Sequence, residues 1–128
     1  MPEGARPISC KDATATDWPW VPVDAATPAV WSQSHHRAEG LATRMPFDLP
    51  QQILRKLLDD FILVSDDSIS DAVHFLLARN RTLVEGAGAA AVAAAFALKE
   101  RLAGKRVALI LSGGNISVPQ LKTILARD

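Results

Sequence analysis

Five consecutive apolar residues, Val107 to Leu111, run directly into Ser112-Gly113-Gly114-Asn115, and this feature constrains the chain more than any other. An apolar run without alternation suits a strand covered on both faces, the situation of a parallel sheet. Parallel strands are joined by crossover helices rather than hairpins, so the run asks for helical segments on either side.

The flanking sequence supplies them. Gly86 to about Ala103 holds eight Ala in its first thirteen residues, and Ala is the best helix former. Lys99 and Arg101 fall in its final turns, and Gly104 suits the stop just beyond. Pro119 precedes a closing helix over Gln120 to Ala126.

Farther upstream, Asp48-Leu49-Pro50-Gln51 reads as a helix start, with Asp48 as N-cap, Pro50 in the first turn and Gln51 at the capping-box position. Ile53, Leu54, Leu57, Leu58 and Phe61 continue it as one apolar stripe. The β-branched run Ile62-Leu63-Val64 reads as a strand, and Ser65-Asp66-Asp67 as the cap and acidic first turn of the next helix. Ile69, Ala72, Val73, Leu76 and Leu77 give that helix its buried face.

Strand, helix, helix, strand, helix is α/β order. The expected fold class is therefore α/β, a partial parallel three-layer sheet with flanking helices behind an irregular N-terminal arm. Two strands alone would leave both flanks as open edges, so the second half reads as one end of a larger sheet.

The first 34 residues follow different rules. All three Trp, Trp18, Trp20 and Trp31, and seven of the eight Pro lie in the first 50 residues. Proline fixes φ and removes a backbone donor, so no periodic stretch survives two turns. The expectation is irregular or disordered chain, with a short extended piece around Trp20 to Val23.

Charge and composition exclude several functions. The 14 basic and 14 acidic side chains cancel, which leaves no electrostatic footprint for nucleic acid. The single Cys10 excludes a disulfide framework and a thiolate zinc site. The longest uncharged run, Gly86 to Leu98, is 13 residues of mostly Ala, short of the roughly 20 needed to span a bilayer. The start has no apolar signal segment, and the expected compartment is the cytoplasm.

Three segments carry the candidate chemistry. At Leu111-Ser112-Gly113-Gly114-Asn115-Ile116 a strand ends in a hydroxyl, two glycines and an amide, where ligands of open α/β sheets bind. Paired glycines admit a planar or anionic group close to the backbone, and they equally suit an ordinary strand-to-helix turn. At Val84-Glu85-Gly86-Ala87-Gly88-Ala89 a carboxylate stands at a helix start, either as a site residue or as a helix-capping Glu with glycines for close packing. Ala38-Glu39-Gly40-Leu41-Ala42-Thr43-Arg44 is a small-residue loop with charges of both signs.

Taken in order and spacing, these segments resemble the fold-type II pyridoxal-phosphate enzymes, the threonine/serine dehydratase and serine racemase family. The resemblance is carried by Ala38-Glu39-Gly40-Leu41-Ala42, Val64-Ser65-Asp66-Asp67-Ser68-Ile69, Glu85-Gly86-Ala87-Gly88-Ala89-Ala90 and Leu111 to Asn115, and it runs from about Arg37 to Asp128. It implies residues 37–128 as the C-terminal part of the large domain of a tryptophan-synthase-β-like fold, behind a leader, residues 1–36, with no family match.

The resemblance also implies site roles. Ser112 matches the serine whose hydroxyl meets the pyridine nitrogen of pyridoxal 5′-phosphate. A neutral hydroxyl does not keep that nitrogen protonated, which makes the ring a weaker electron sink and favours β-elimination of water. Gly113 and Gly114 give the ring room, Asn115 braces the turn, and Glu85 stands near the cofactor's edge in a supporting or proton-relay role. Gly40 and Thr43 fall in the loop that closes over substrate in relatives.

Two family elements are not found in the sequence: the S-x-K-x-R-G motif of the Schiff-base lysine and a glycine-rich loop for the cofactor phosphate. Ser9-Cys10-Lys11 spells S-x-K, but Asp12-Ala13 replaces the Arg and Gly, and no strand or helix is expected around it. The expectation is a C-terminal portion of a threonine/serine ammonia-lyase, inactive as an isolated chain. Its leader is either a separately evolved arm or the product of a truncated or frameshifted reading frame.

Two alternatives remain: a non-catalytic module pairing with a full-length homologue or within a homo-oligomer, and a small α/β ligand-binding protein. The minor signals favour bland explanations. His35-His36 lack a third ligand at metal spacing, so no metal is expected. His74 stands at the edge of an apolar stripe, Trp18-Pro19-Trp20 reads as unstructured apolar residues, and nothing makes Cys10 a nucleophile.

Overall fold

The computed structural model describes residues 8–12, 38, 41 and 47–127. Strand β1 (Ile8–Asp12) is followed by helix α1 (Asp48–Leu57), strand β2 (Asp60–Val64) and helix α2 (Asp66–Phe75). Helices α3 (Gly86–Ala97), α4 (Lys99–Leu102) and α5 (Val118–Leu125) complete the order. β1 and β2 pair in parallel from Ile8 opposite Asp60 to Asp12 opposite Val64. A parallel pair with helices packed against it is α/β in class.

The core sits where α2, α3 and β2 meet. Ile69, Ala72 and Val73 of α2, together with Leu76, are buried against Ala89, Ala90, Val92, Ala93 and Ala94 of α3, with Val64, Val84, Ala38 and Ile124 closing the cluster. Four of the five residues expected on that face, Ile69, Ala72, Val73 and Leu76, are in the core, while Leu77 is only half-buried. Methyl side chains on α3 let its axis approach α2 and both strands closely.

Capping follows local chemistry. Ser65 caps α2 by accepting from the Ser68 N–H at 3.1 Å, with Asp66 and Asp67 in the positive first turn. Ser117 caps α5 in a capping box with Gln120, which lies outside the sequence expectations. Gly104 takes a positive φ of 73°, as a helix-stop glycine should.

Several expectations need correction. The irregular leader contains β1, whose backbone runs through Ser9, Cys10 and Lys11. Its sequence carries no alternation because the strand is specified by pairing with β2, a non-local contact. That pairing also extends β2 two residues earlier than Ile62. Asp60 and Phe61 therefore belong to the strand, and Phe61 leaves the α1 stripe.

The N-cap of α1 is Phe47, with no side-chain cap bond, and Asp48 is the first helical residue. Pro50 does not discriminate the two starts, because its missing N–H falls among the unpaired first donors either way. Ile53, Leu54 and Leu57 remain exposed, so α1 has an apolar face that no described residue covers.

The helix expected through Ala103 breaks at Leu98, with ψ of 15°. Burial ends at Ala94; beyond it Phe96 meets Phe75 edge-on, ring centroids 5.0 Å apart, and packing no longer enforces helical geometry.

Val107 to Leu111 is not a strand in this structure. A strand needs a neighbour to receive its N–H and C=O groups, and among the described residues the strand pairing is confined to β1 and β2. Val107, Leu109, Ile110 and Leu111 are all exposed, Ile110 by 79%.

Candidate functional site

The site is built where the turn after Leu111 lies across the start of α3. A π-helical turn, Leu76–Asn80, ends α2 and aims the chain toward it. Arg81 closes that turn in the left-handed region, φ 57°, and its guanidinium donates to the Ala78 carbonyl at 2.6 Å. The chain then passes through buried Val84 to Glu85, the N-cap of α3.

Glu85 holds the opposing turn at three points. Its amide donates to the Gly113 carbonyl at 3.3 Å, and its carboxylate Oε2 accepts from the Asn115 N–H at 3.0 Å. Gly113, at φ 76°, lies so close that a Cβ there would stand 2.8 Å from Glu85 Oε1. One turn into α3, a Cβ on Gly88 would lie 2.2 Å from the Ser112 carbonyl oxygen. The two segments are in backbone contact.

The structure therefore brings together Glu85, Ser112, Gly113, Gly114 and Asn115. Ser112 to Asn115 are exposed, and the Ser112 hydroxyl and Asn115 carboxamide make no hydrogen bond to a described residue. Gly40 and Thr43, with the loop they belong to, lie outside the described residues, as do His35-His36 and the Trp18-Pro19-Trp20 segment. His74 is half-buried on α2. Among the described residues, no cluster of three His, Cys, Asp or Glu side chains could hold a metal, and no helix is long and apolar enough to cross a membrane.

Adjacent lies a cavity of about 430 Å³ between α2, the start of α3 and α5. Glu85, Asn115, Ser70, Gln120, Ile116 and Ile124 are among the residues that line it. Ser112 does not line it. Sequence reasoning missed Ser70 and Gln120 because each resembles an ordinary helical polar residue; Gln120, three after Ser117, was detectable as a capping box.

The chain belongs to the pyridoxal-phosphate dependent enzyme family, whose model matches residues 4–113 and so takes in most of the leader expected to have no family match. It is 40% identical over 88 residues to an L-threonine ammonia-lyase of Thermotoga maritima, covering 69% of this chain and 22% of that protein. It is 34% identical over 90 residues to a serine racemase of Schizosaccharomyces pombe, covering 70% of this chain and 28% of that one. The crystal structure of a T.th. threonine deaminase superposes with a TM-score of 0.73 at 28% identity, over 86% of this chain and 37% of that one. The chain thus spans between a fifth and two fifths of the relatives' lengths, and its structural neighbours are fold-type II pyridoxal-phosphate enzymes.

Family members bind pyridoxal phosphate, so the residues present can be tested for fit. An exposed hydroxyl with no described partner, followed by two residues without side chains, suits the flat edge of a pyridine ring. The fit covers one edge of the cofactor, and a phosphate-holding loop is not part of it.

Proposed function

We propose that this chain is the C-terminal part of a pyridoxal-phosphate dependent threonine/serine ammonia-lyase, with residues 37–128 as the dehydratase-like portion. The observation that carries the proposal is the clamped Ser112–Asn115 turn, which presents a hydroxyl with no hydrogen-bond partner among the described residues. The activity is β-elimination of water from a hydroxy amino acid, giving a 2-oxo acid and ammonia.

Bound pyridoxal phosphate supplies the electron-withdrawing ring that acidifies the substrate Cα–H. Ser112 would donate to or accept from the ring nitrogen as a neutral partner, Gly113 and Gly114 would let the ring lie against the backbone, and Asn115 would brace the turn. Gly40 and Thr43 would belong to the loop over the substrate. The lysine that exchanges the Cα proton has no motif in this chain, so the isolated polypeptide is expected not to turn over amino acids. In the whole protein the second half would form one side of a parallel three-layer sheet, in a cytoplasmic enzyme.

The test is a chimera in which residues 37–128 replace the matching segment of the Thermotoga maritima L-threonine ammonia-lyase. Formation of 2-oxobutanoate from L-threonine, falling about 10- to 100-fold with Ser112→Ala, is the expected result, the scale of one lost hydrogen bond to a group left unpaired. A folded chimera that binds the cofactor but releases no 2-oxo acid would overturn the proposal.

A second role is favoured by the exposed run Val107 to Leu111 and the uncovered α1 face. Both suit a non-catalytic module that completes its sheet against a full-length homologue. Co-elution of the purified chain with such a homologue supports this role, and a stable monomer in the mixture counts against it.

A further inference from the structure

We infer that Glu85 is the positioning residue of the site, holding the Ser112–Asn115 turn through its main chain rather than relaying protons. The inference rests on Ser112 being the group that meets the ring nitrogen, and it narrows what Glu85 does for it.

A Gly-Gly pair is the most mobile dipeptide available, so the direction of the preceding Ser112 hydroxyl is undetermined unless something outside the turn fixes it. Glu85 pins the two peptide groups that flank Gly114, on the C-terminal side of Ser112. Its N–H holds the Gly113 carbonyl, and its Oε2 holds the Asn115 amide from 30 residues away in sequence. On the Ser112 side of these anchors Gly113 adopts φ 76°, a conformation other residues seldom take, and a Cβ there would stand 2.8 Å from Glu85 Oε1.

The same geometry argues against a relay. One carboxylate oxygen is committed to the Asn115 N–H, and the other lies over the Gly113 Cα. Glu85 lines the cavity between α2, α3 and α5, which Ser112 does not line. A proton passed from Glu85 into that cavity would be delivered away from the Ser112 hydroxyl.

The experiment uses the full ¹⁵N-labelled chain, wild type beside Glu85→Ala and Glu85→Gln, and reads amide hydrogen exchange. The Gln carbonyl oxygen can still accept from Asn115, whereas Ala removes the acceptor. The Asn115 amide should exchange about tenfold faster or more in E85A, and within about threefold of wild type in E85Q, the change expected for one lost hydrogen bond. The Ala89 amide, bonded to the Glu85 carbonyl in α3, reports whether the helix itself has opened.

Unchanged Asn115 exchange in E85A, or equal acceleration in E85Q, overturns the inference. If E85A fails to fold, Gly113→Ala replaces it. The added methyl displaces the carboxylate while Glu85 stays, and an unchanged Asn115 amide there is equally fatal. Titration of wild type with 3-hydroxypyridine separates the two readings. No shift at the Ser112 and Gly113 amides removes the ring-binding role of Ser112, while the exchange data still decide the role of Glu85.

Discussion

Gly88 lies directly beneath Ser112: a Cβ built on the glycine would stand 2.2 Å from the serine carbonyl oxygen and 2.5 Å from Val84 Cγ1. Neither neighbour is the far end of a flexible side chain, so the contact fixes how near α3 comes to the turn. Gly88→Ala gains roughly 1 kcal/mol of helix propensity, but it must force backbone apart. The net expectation is destabilisation of about 1–3 kcal/mol, read as a lower urea midpoint. Gly104→Ala is the control. It has open space around it but a φ of 73°, and its cost should stay near the 1–2 kcal/mol of left-handed strain alone.

Ser65 caps α2, the helix that supplies Ile69, Ala72 and Val73 to the core. Ser65→Ala should cost about 1 kcal/mol, and Ser65→Asp should recover most of it, since a carboxylate can accept from the Ser68 N–H and also favours the positive helix end. Thermal unfolding followed at 222 nm checks both. Equal stability of the Ala variant and wild type would mean that the cap is not formed in solution.

Ile69 is buried to 1% exposure between α2 and α3. Ile69→Ala should cost about 2–5 kcal/mol, the range for emptying a packed aliphatic site, whereas Leu57→Ala on the uncovered face of α1 should move the urea midpoint little. If the two variants prove equally destabilised, α1 packs against something in solution, and its apolar face is a docking surface.

Asp60 has its carboxyl held below the usual 3.8, first by the hydrogen bond from Arg101 and then by the Phe61 N–H. A carboxylate whose folded pKa is depressed contributes stability in full above its unfolded value, and loses it as pH falls through the folded one. Stability should therefore drop on acidification from about 3.8 downward, and Asp60→Asn should flatten that part of the curve. Both side chains are solvent-exposed in part, so the effect is small and should fade in high salt. Urea midpoints across the acid range, at low and high salt, would show it.

How much of this was legible beforehand depended on whether the signal was local. The α2 stripe and its Ser65 cap could be read because helix period and capping are set by residues within one turn. Gly104 and the Ser112–Asn115 turn announced themselves through glycine placement. β1 was not legible: Ile8–Asp12 has no pattern of its own, and its only specification is the edge of β2. Val107 to Leu111 carries the strongest strand pattern in the chain yet pairs with nothing described, because apolar content sets strand potential while neighbours make the strand. The link from Glu85 to Asn115 was half legible. Motif order brought the two segments together, but only the geometry showed that the carboxylate meets a backbone amide.

Gly113 and Glu85 should be energetically coupled in a direction that tests the clamp. Gly113→Ala incurs two penalties: left-handed strain at φ 76°, about 1–2 kcal/mol, and a collision with the Glu85 carboxylate, whose Oε1 would be 2.8 Å from the new methyl. Glu85→Ala removes the collision but leaves the strain. The double variant should therefore be more stable than the sum of the single costs predicts, by roughly 0.5–3 kcal/mol, the range for residues in contact. Denaturant unfolding of all four proteins completes the cycle. Strict additivity would mean that carboxylate and turn are apart in solution, and the Ser112 hydroxyl would then have no fixed direction in which to serve a ring nitrogen.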